Sequence, residues 1–193
     1  MRDPVESVKK EKDIASIYTL YVDDLFTYGC YLGFESEIVK DAIHDVFIKV
    51  TTGSDKLDNI SNIKFYLFKS LKNRLLDIHK NLKEHIGLED IDPTLQIPFN
   101  IPVNVEELMI EKEEQVQIKT GIEQMLSSLT DRQREIIYLR YVQEYDYDQI
   151  AELLHISVHG CRKLVSKAIL SLREKYGIFF LLGYHSYFLL TLR

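Results

Sequence analysis

Few side chains in this sequence are placed to make or break a bond. His44 and Asp45 are adjacent, and with His79 or His85 they give a remote reading as the ligand set of an all-α metal phosphohydrolase. A single His-Asp dyad is also what an ordinary helix surface carries. Cys30 and Cys161 lie far apart with no CxxC or Cys/His spacing, so neither a disulfide framework nor a structural zinc site is expected. Both read as small buried hydrophobes in a reducing compartment. There is no glycine-rich phosphate loop and no serine nucleophile elbow. The expectation is a chain that catalyses nothing and uses no metal, no cofactor and no small-molecule substrate.

The chemistry that remains is recognition of phosphates and base edges. The formal net charge of -6 argues against it only if charge is spread evenly, and it is not. Residues 64–83 hold Lys64, Lys69, Lys72, Arg74, Lys80 and Lys83 against Asp77 alone. Residues 84–115 hold nine acids against Lys112 alone, and residues 155–175 hold five basic residues against Glu174. Two basic segments flank an acidic one. Within 64–83 the acids needed to pair with the lysines are nearly absent, which leaves phosphate as the natural counter-charge.

Positioning such residues takes helices. The run 129–135 opens one: Thr130 or Asp131 can cap it, with Gln or acids three or four residues on. After it, residues 147–154 make a short helix, 155–157 a tight turn, and 159–168 a second helix, the layout of a helix-turn-helix. Ile150 and Leu153 or Leu154 face the core, Ala151 lets the helices approach, Ile156 plugs the turn and Ser157 can cap the second helix. On that helix Cys161, Leu164, Val165, Ala168, Ile169 and Leu172 share one arc. His159, Arg162, Lys163, Ser166, Lys167 and Arg173 share the other. A basic, nearly acid-free arc suits a recognition helix in a major groove, where Arg or Lys reads guanine edges and Ser or Lys holds phosphates.

Toward the N-terminus, Ile14, Ile17, Tyr18, Tyr21 and Leu25, and then Ile43, Val46, Phe47 and Val50, recur at helical spacing. A third helix from about residue 64 places Leu67, Leu71, Leu75, Ile78 and Leu82 on a core arc, with Lys69, Lys72, Asn73, Lys80 and Lys83 roughly opposite. Strand signals are weak throughout. The fold class is therefore all-α, as two helical domains joined by an acidic linker that carries Pro93, Pro98 and Pro102 and shows no periodicity.

In this order the features resemble the extracytoplasmic-function (ECF) sigma factors of the sigma-70 family, the specificity subunits of bacterial RNA polymerase. Residues 41–50 are similar to the acidic-aliphatic-Gln-acidic-aliphatic-Phe signature of the second sigma region, with His44 where Gln is usual. Residues 64–77 are similar to its aromatic-Leu-aromatic, Asn, Asp helix, with Phe65 or Tyr66 where Trp is typical. Residues 129–168 look like the fourth region, with Gly160 in a usual Thr place.

The resemblance implies a region-two-like domain over 10–83, an acidic linker over 84–112 threaded through the polymerase channel, and a region-four-like helix-turn-helix domain over 113–177. It implies that Asp41, His44, Asp45, Phe47 and Lys49 dock on the polymerase clamp helices, with core packing the alternative for Phe47. Asn59, Ser61, Asn62, Lys69, Lys72, Asn73, Arg74 and Lys80 would hold the minus-ten element, and Ser157, His159, Arg162, Lys163, Ser166, Lys167 and Arg173 the minus-thirty-five element. The implied partners are core RNA polymerase, at its clamp helices and flap, promoter DNA and an anti-sigma factor. A rival reading keeps the helix-turn-helix and makes the N-terminal half a sensor, but the βα alternation a receiver needs is not visible.

Residues 178–193 form a hydrophobic tail. As a helix, 178–192 spans only about 22 Å, short of a bilayer core of about 30 Å, so the tail is expected to pack on its own domains or on a partner. Residues 1–10 have no apolar core and no cleavage pattern of a signal peptide, and a cytoplasmic location is expected.

Overall fold

The computed structural model describes residues 4–52, 60–86, 98–102 and 112–191, with side chains over 14–52, 60–81, 98–102 and 119–177. Every regular element among these residues is helical. The helices are α1 (Pro4–Tyr31), α2 (Ser36–Thr52), α3 (Ile63–Ile86), α4 (Lys112–Ser127), α5 (Asp131–Tyr141), α6 (Tyr147–Leu153) and α7 (Val158–Thr191). The chain divides into two compact units, Met1–Gln96 and Ile97–Arg193.

In the first unit α1, α2 and α3 pack on one another. Leu25 and Tyr28 of α1, Val39 and Ala42 of α2, and Phe68, Leu71 and Leu75 of α3 are wholly buried there. Gly33, at φ 78°, turns the chain between α1 and α2, a left-handed conformation that glycine adopts without cost. Gly29 allows the two helices to approach, since a Cβ there would lie 2.5 Å from Val39 Cγ1. At the start of α3 the Asn62 side chain accepts the Phe65 N–H at 3.0 Å.

Lys72 departs from the expected cationic arc: it is 5% exposed. The cause is that α3 packs against both α1 and α2, so its buried surface is wider than the single Leu67-Leu71-Leu75 stripe and takes in Phe68 and, one turn on, Lys72.

The second unit is built from α4 to α7 and the extended residues 98–102. Phe99 is 1% exposed and its ring centroid lies 5.6 Å from that of Tyr138. The Phe99 N–H donates to Asp131 Oδ1 at 3.1 Å, and its carbonyl accepts from Arg134 Nε at 2.6 Å. Arg134 Nη1 also donates to the carbonyls of Leu126 and Leu129, and Nη2 pairs with Asp131. The segment read as linker is thus pinned at Phe99 to the C-terminal unit, and Ile101 is buried as well; residues 87–97 and 103–111 lie outside the described residues. Helix α7 is interrupted at Gly177, whose φ of 75° and ψ of 166° are not helical. Its backbone continues helically to Thr191, and the side chains of the tail lie outside the described residues.

Candidate nucleic-acid interface

Helices α5, α6 and α7 are set by their caps. The Thr130 hydroxyl accepts the Gln133 N–H while the Gln133 side chain accepts the Thr130 N–H, a reciprocal capping box. Asp146 and Gln149 form the same box at α6. At the turn between α6 and α7, His155 takes φ 52° and Ile156 N–H donates to the Ala151 carbonyl at 3.0 Å. Ser157 Oγ then accepts the Gly160 N–H at 3.0 Å and starts α7. Arg132 Nη2 donates to the Leu154 carbonyl at 3.1 Å, tying α5 to the end of α6. Tyr176 Oη donates to the Gln124 carbonyl at 2.8 Å and ties α7 to α4.

This frame holds the two arcs of α7 apart. Cys161, Val165, Ala168 and Leu172 are buried and Leu164 and Ile169 half-buried. Ser157, His159, Arg162, Lys163, Ser166, Lys167 and Arg173 are all exposed, together on the other arc. Two guanidinium groups lie over the Tyr147 ring, Arg140 at 4.8 Å and Arg162 at 5.6 Å. Arg140 is held by a bond from Nη1 to the Tyr145 carbonyl at 2.8 Å. Burial pushes the Cys161 thiol up, an effect that Arg140 and Arg162 partly oppose.

In the N-terminal unit, Asp41, His44 and Lys49 are exposed, and Asp41, His44 and Asp45 share one face of α2 with the exposed Ile48. Phe47 is buried, edge-on to Tyr18 with ring centroids 4.9 Å apart, so it takes the core alternative. Ser61, Asn62 and Lys80 are exposed, while Lys69, Asn73 and Arg74 are half-buried. Asn59 lies outside the described residues. The lysine-rich α3 does not lack acids in space: Arg74 pairs with Asp45 of α2 at 2.8 Å, and Lys64 with Asp24 of α1 at 3.5 Å. Counting charge along one segment misses partners delivered by neighbouring helices.

Sequence reasoning passed over Asp146, Tyr147 with Arg140, and Phe99 with Arg134. The first was readable, because Asp146 precedes Gln149 by the capping-box spacing. The others arise from tertiary packing and leave no local signal. Among the described residues no cluster of three metal-ligating side chains occurs, and no helix is long and apolar enough to cross a membrane.

Comparison with known proteins follows the same outline. The sequence profile of the family described as "Sigma-70, region 4" matches residues 120–172, which span α5, α6 and the exposed basic arc of α7 up to Leu172. The ECF RNA polymerase sigma factor SigM of Bacillus subtilis (strain 168) is 22% identical over 166 residues, covering 85% of this chain and 95% of the relative. The RNA polymerase sigma factor YlaC of the same organism is 22% identical over 169 residues, covering 86% of this chain and 94% of the relative. Among solved structures, a chain from the co-crystal structure of the sigma factor RpoE with the anti-sigma factor NepR, from Bartonella quintana, shares the fold. Its TM-score is 0.53 at 19% identity, covering 86% of this chain and 98% of that one. A region 4 profile thus lies on the helix-turn-helix, and over most of its length the chain is similar to two RNA polymerase sigma factors, one of them of the ECF branch.

Proposed function

We propose that this chain binds core RNA polymerase and directs promoter recognition, strand opening and transcription initiation. The observation that carries the reading is the exposed, basic and nearly acid-free arc of α7, held by a capped helix-turn-helix at the region 4 match. Such an arc fits a major groove: Arg162 and Lys163 can reach base edges while Ser157, His159, Ser166, Lys167 and Arg173 neutralise or hydrogen-bond phosphates of the upstream, minus-thirty-five element.

The N-terminal unit supplies the second half of the function. The face of α2 with exposed Asp41, His44 and Lys49 and half-buried Asp45 offers a mixed-charge surface to the polymerase clamp helices, and the C-terminal unit meets the flap. Ser61 and Asn62 at the start of α3, with Lys69, Asn73, Arg74 and Lys80, would hold the opened minus-ten strand, for which a cationic track and donors to an extruded base are needed. The chain itself performs no bond chemistry in this reading; it acts in the cytoplasm, selects where the polymerase starts, and is restrained by an anti-sigma partner, as RpoE is complexed by NepR.

The test is run-off transcription with bacterial core polymerase, with and without the chain, on sheared genomic DNA. New start sites that share two spaced sequence elements, lost on Arg162→Ala with Lys163→Ala, are the expected result. A chain that neither binds core polymerase nor creates starts, yet still shifts duplex DNA, would instead be a helix-turn-helix regulator.

A further inference from the structure

Arg162 stands in the first turns of α7, exposed, and among the described residues no hydrogen bond or ion pair takes up its guanidinium. An arginine so placed on a bare helix samples many rotamers and finds a phosphate as readily as a base. Here it has a platform. The Tyr147 ring lies 5.6 Å from its guanidinium carbon, and the same ring has Arg140 at 4.8 Å. Arg140 is itself fixed to the Tyr145 carbonyl at 2.8 Å, so the ring joins the end of α5, the start of α6 and the start of α7.

A guanidinium resting on an aromatic face keeps its N–H edge open, and that edge is the fork that matches the O6 and N7 acceptors of guanine. Two cations sharing one ring also favour arrival of an acceptor-rich edge. We propose that Tyr147 is a positioning residue for base readout, holding Arg162 so that it reads a guanine in the major groove of the upstream promoter element. The inference rests on the reading of the chain as a promoter-recognition subunit.

The test is selection of duplexes, randomised over the upstream block of a promoter found by the transcription assay, by the full-length chain bound to core polymerase. Arg162→Ala should erase a guanine preference of about tenfold at one position. Tyr147→Leu should erase the same preference, leave affinity for random duplex and its salt dependence within about twofold, and add nothing to Arg162→Ala when combined with it. Tyr147→Phe, which keeps the ring, should retain the preference. Should Tyr147→Leu fail to fold, Arg140→Gln must weaken preference at the same position.

If Arg162→Ala erases the preference but Tyr147→Leu keeps it, or if Tyr147→Leu weakens all sequences alike, Tyr147 does not position Arg162, and promoter recognition stands. If Arg162→Ala alters no position while the unchanged chain still selects a sequence, the assignment falls with Arg162. A chain that selects no sequence with polymerase present overturns the functional reading itself.

Discussion

One carboxylate oxygen of Asp45, on α2, accepts from both Nε and Nη2 of Arg74, on α3, each at 2.8 Å. The two residues belong to different sets in the functional reading, Asp45 with the polymerase-docking face and Arg74 with the minus-ten track. They are each other's partner in the free chain, so neither is simply available to an outside ligand.

Both side chains are more than a third exposed, which limits what the pair adds to stability. A double-mutant cycle of Asp45→Asn and Arg74→Gln, read by denaturant unfolding, should give a coupling of about 0.5–1 kcal/mol that shrinks in high salt. A coupling of zero would mean that the pair does not persist in solution.

Arg134 is a stronger tie. Its guanidinium serves the carbonyls of Phe99, Leu126 and Leu129 together with Asp131, from a largely buried position. Arg134→Ala strands these acceptors and should cost about 2–4 kcal/mol. Lysine, a point charge without the fork, should recover less than half of that. Amide hydrogen exchange at Phe99 and Ile101 should accelerate in Arg134→Ala; unchanged protection there would show that apolar burial of Phe99 alone holds the segment.

The Gly29 position tests the approach of α1 and α2. Alanine is favoured over glycine in a helix by about 1 kcal/mol, but its Cβ would lie 2.5 Å from Val39 Cγ1. The overlap should prevail and leave Gly29→Ala less stable by about 1–2 kcal/mol in a thermal melt. In a Val39→Ala background the same change should become neutral or stabilising. Destabilisation of equal size in both backgrounds would exclude the overlap as the cause.

Burial raises the Cys161 thiol above its ordinary value of 9.0 and the Tyr141 phenol above 10.0. Groups whose folded value is raised contribute stability that is complete below the unfolded value and lost as pH climbs through the folded one. Thermal stability should therefore fall as pH rises beyond about 9, less steeply in Cys161→Ala. At pH 7 iodoacetamide should modify Cys161 far more slowly than an unfolded control. Rapid modification at neutral pH would contradict the buried, protonated thiol.

How much of this was legible in the sequence depended on whether a feature was local. The division of α7 into a buried Cys161-Val165-Ala168-Leu172 stripe and an exposed basic arc follows from helical spacing, because one face meets the core and the other is largely open to solvent. The Thr130 and Ser157 caps were readable for the same reason: the donors and acceptors lie three residues apart. The spacing failed where a third element intervened. Lys72 looks outward in a two-faced helix and is buried because α3 has two neighbours. The lysines of 64–83 look unpaired along the chain, and Arg74 and Lys64 find acids on α2 and α1. Phe99 and Ile101 sit in a proline-containing acidic stretch without periodicity, so nothing local marks them as core residues of a unit whose helices begin later.

Gly177 has an effect on α7 larger than its size. At φ 75° it ends one helix and begins another, so the count of residues per turn starts afresh at Ile178. A stripe or arc defined before Gly177 carries no angular information past it. The angular position of the basic arc therefore fixes nothing beyond Gly177, and sequence drift, insertion or loss past this point can alter the tail without rotating a single recognition side chain. One backbone dihedral lets the two ends of α7 evolve as separate instruments.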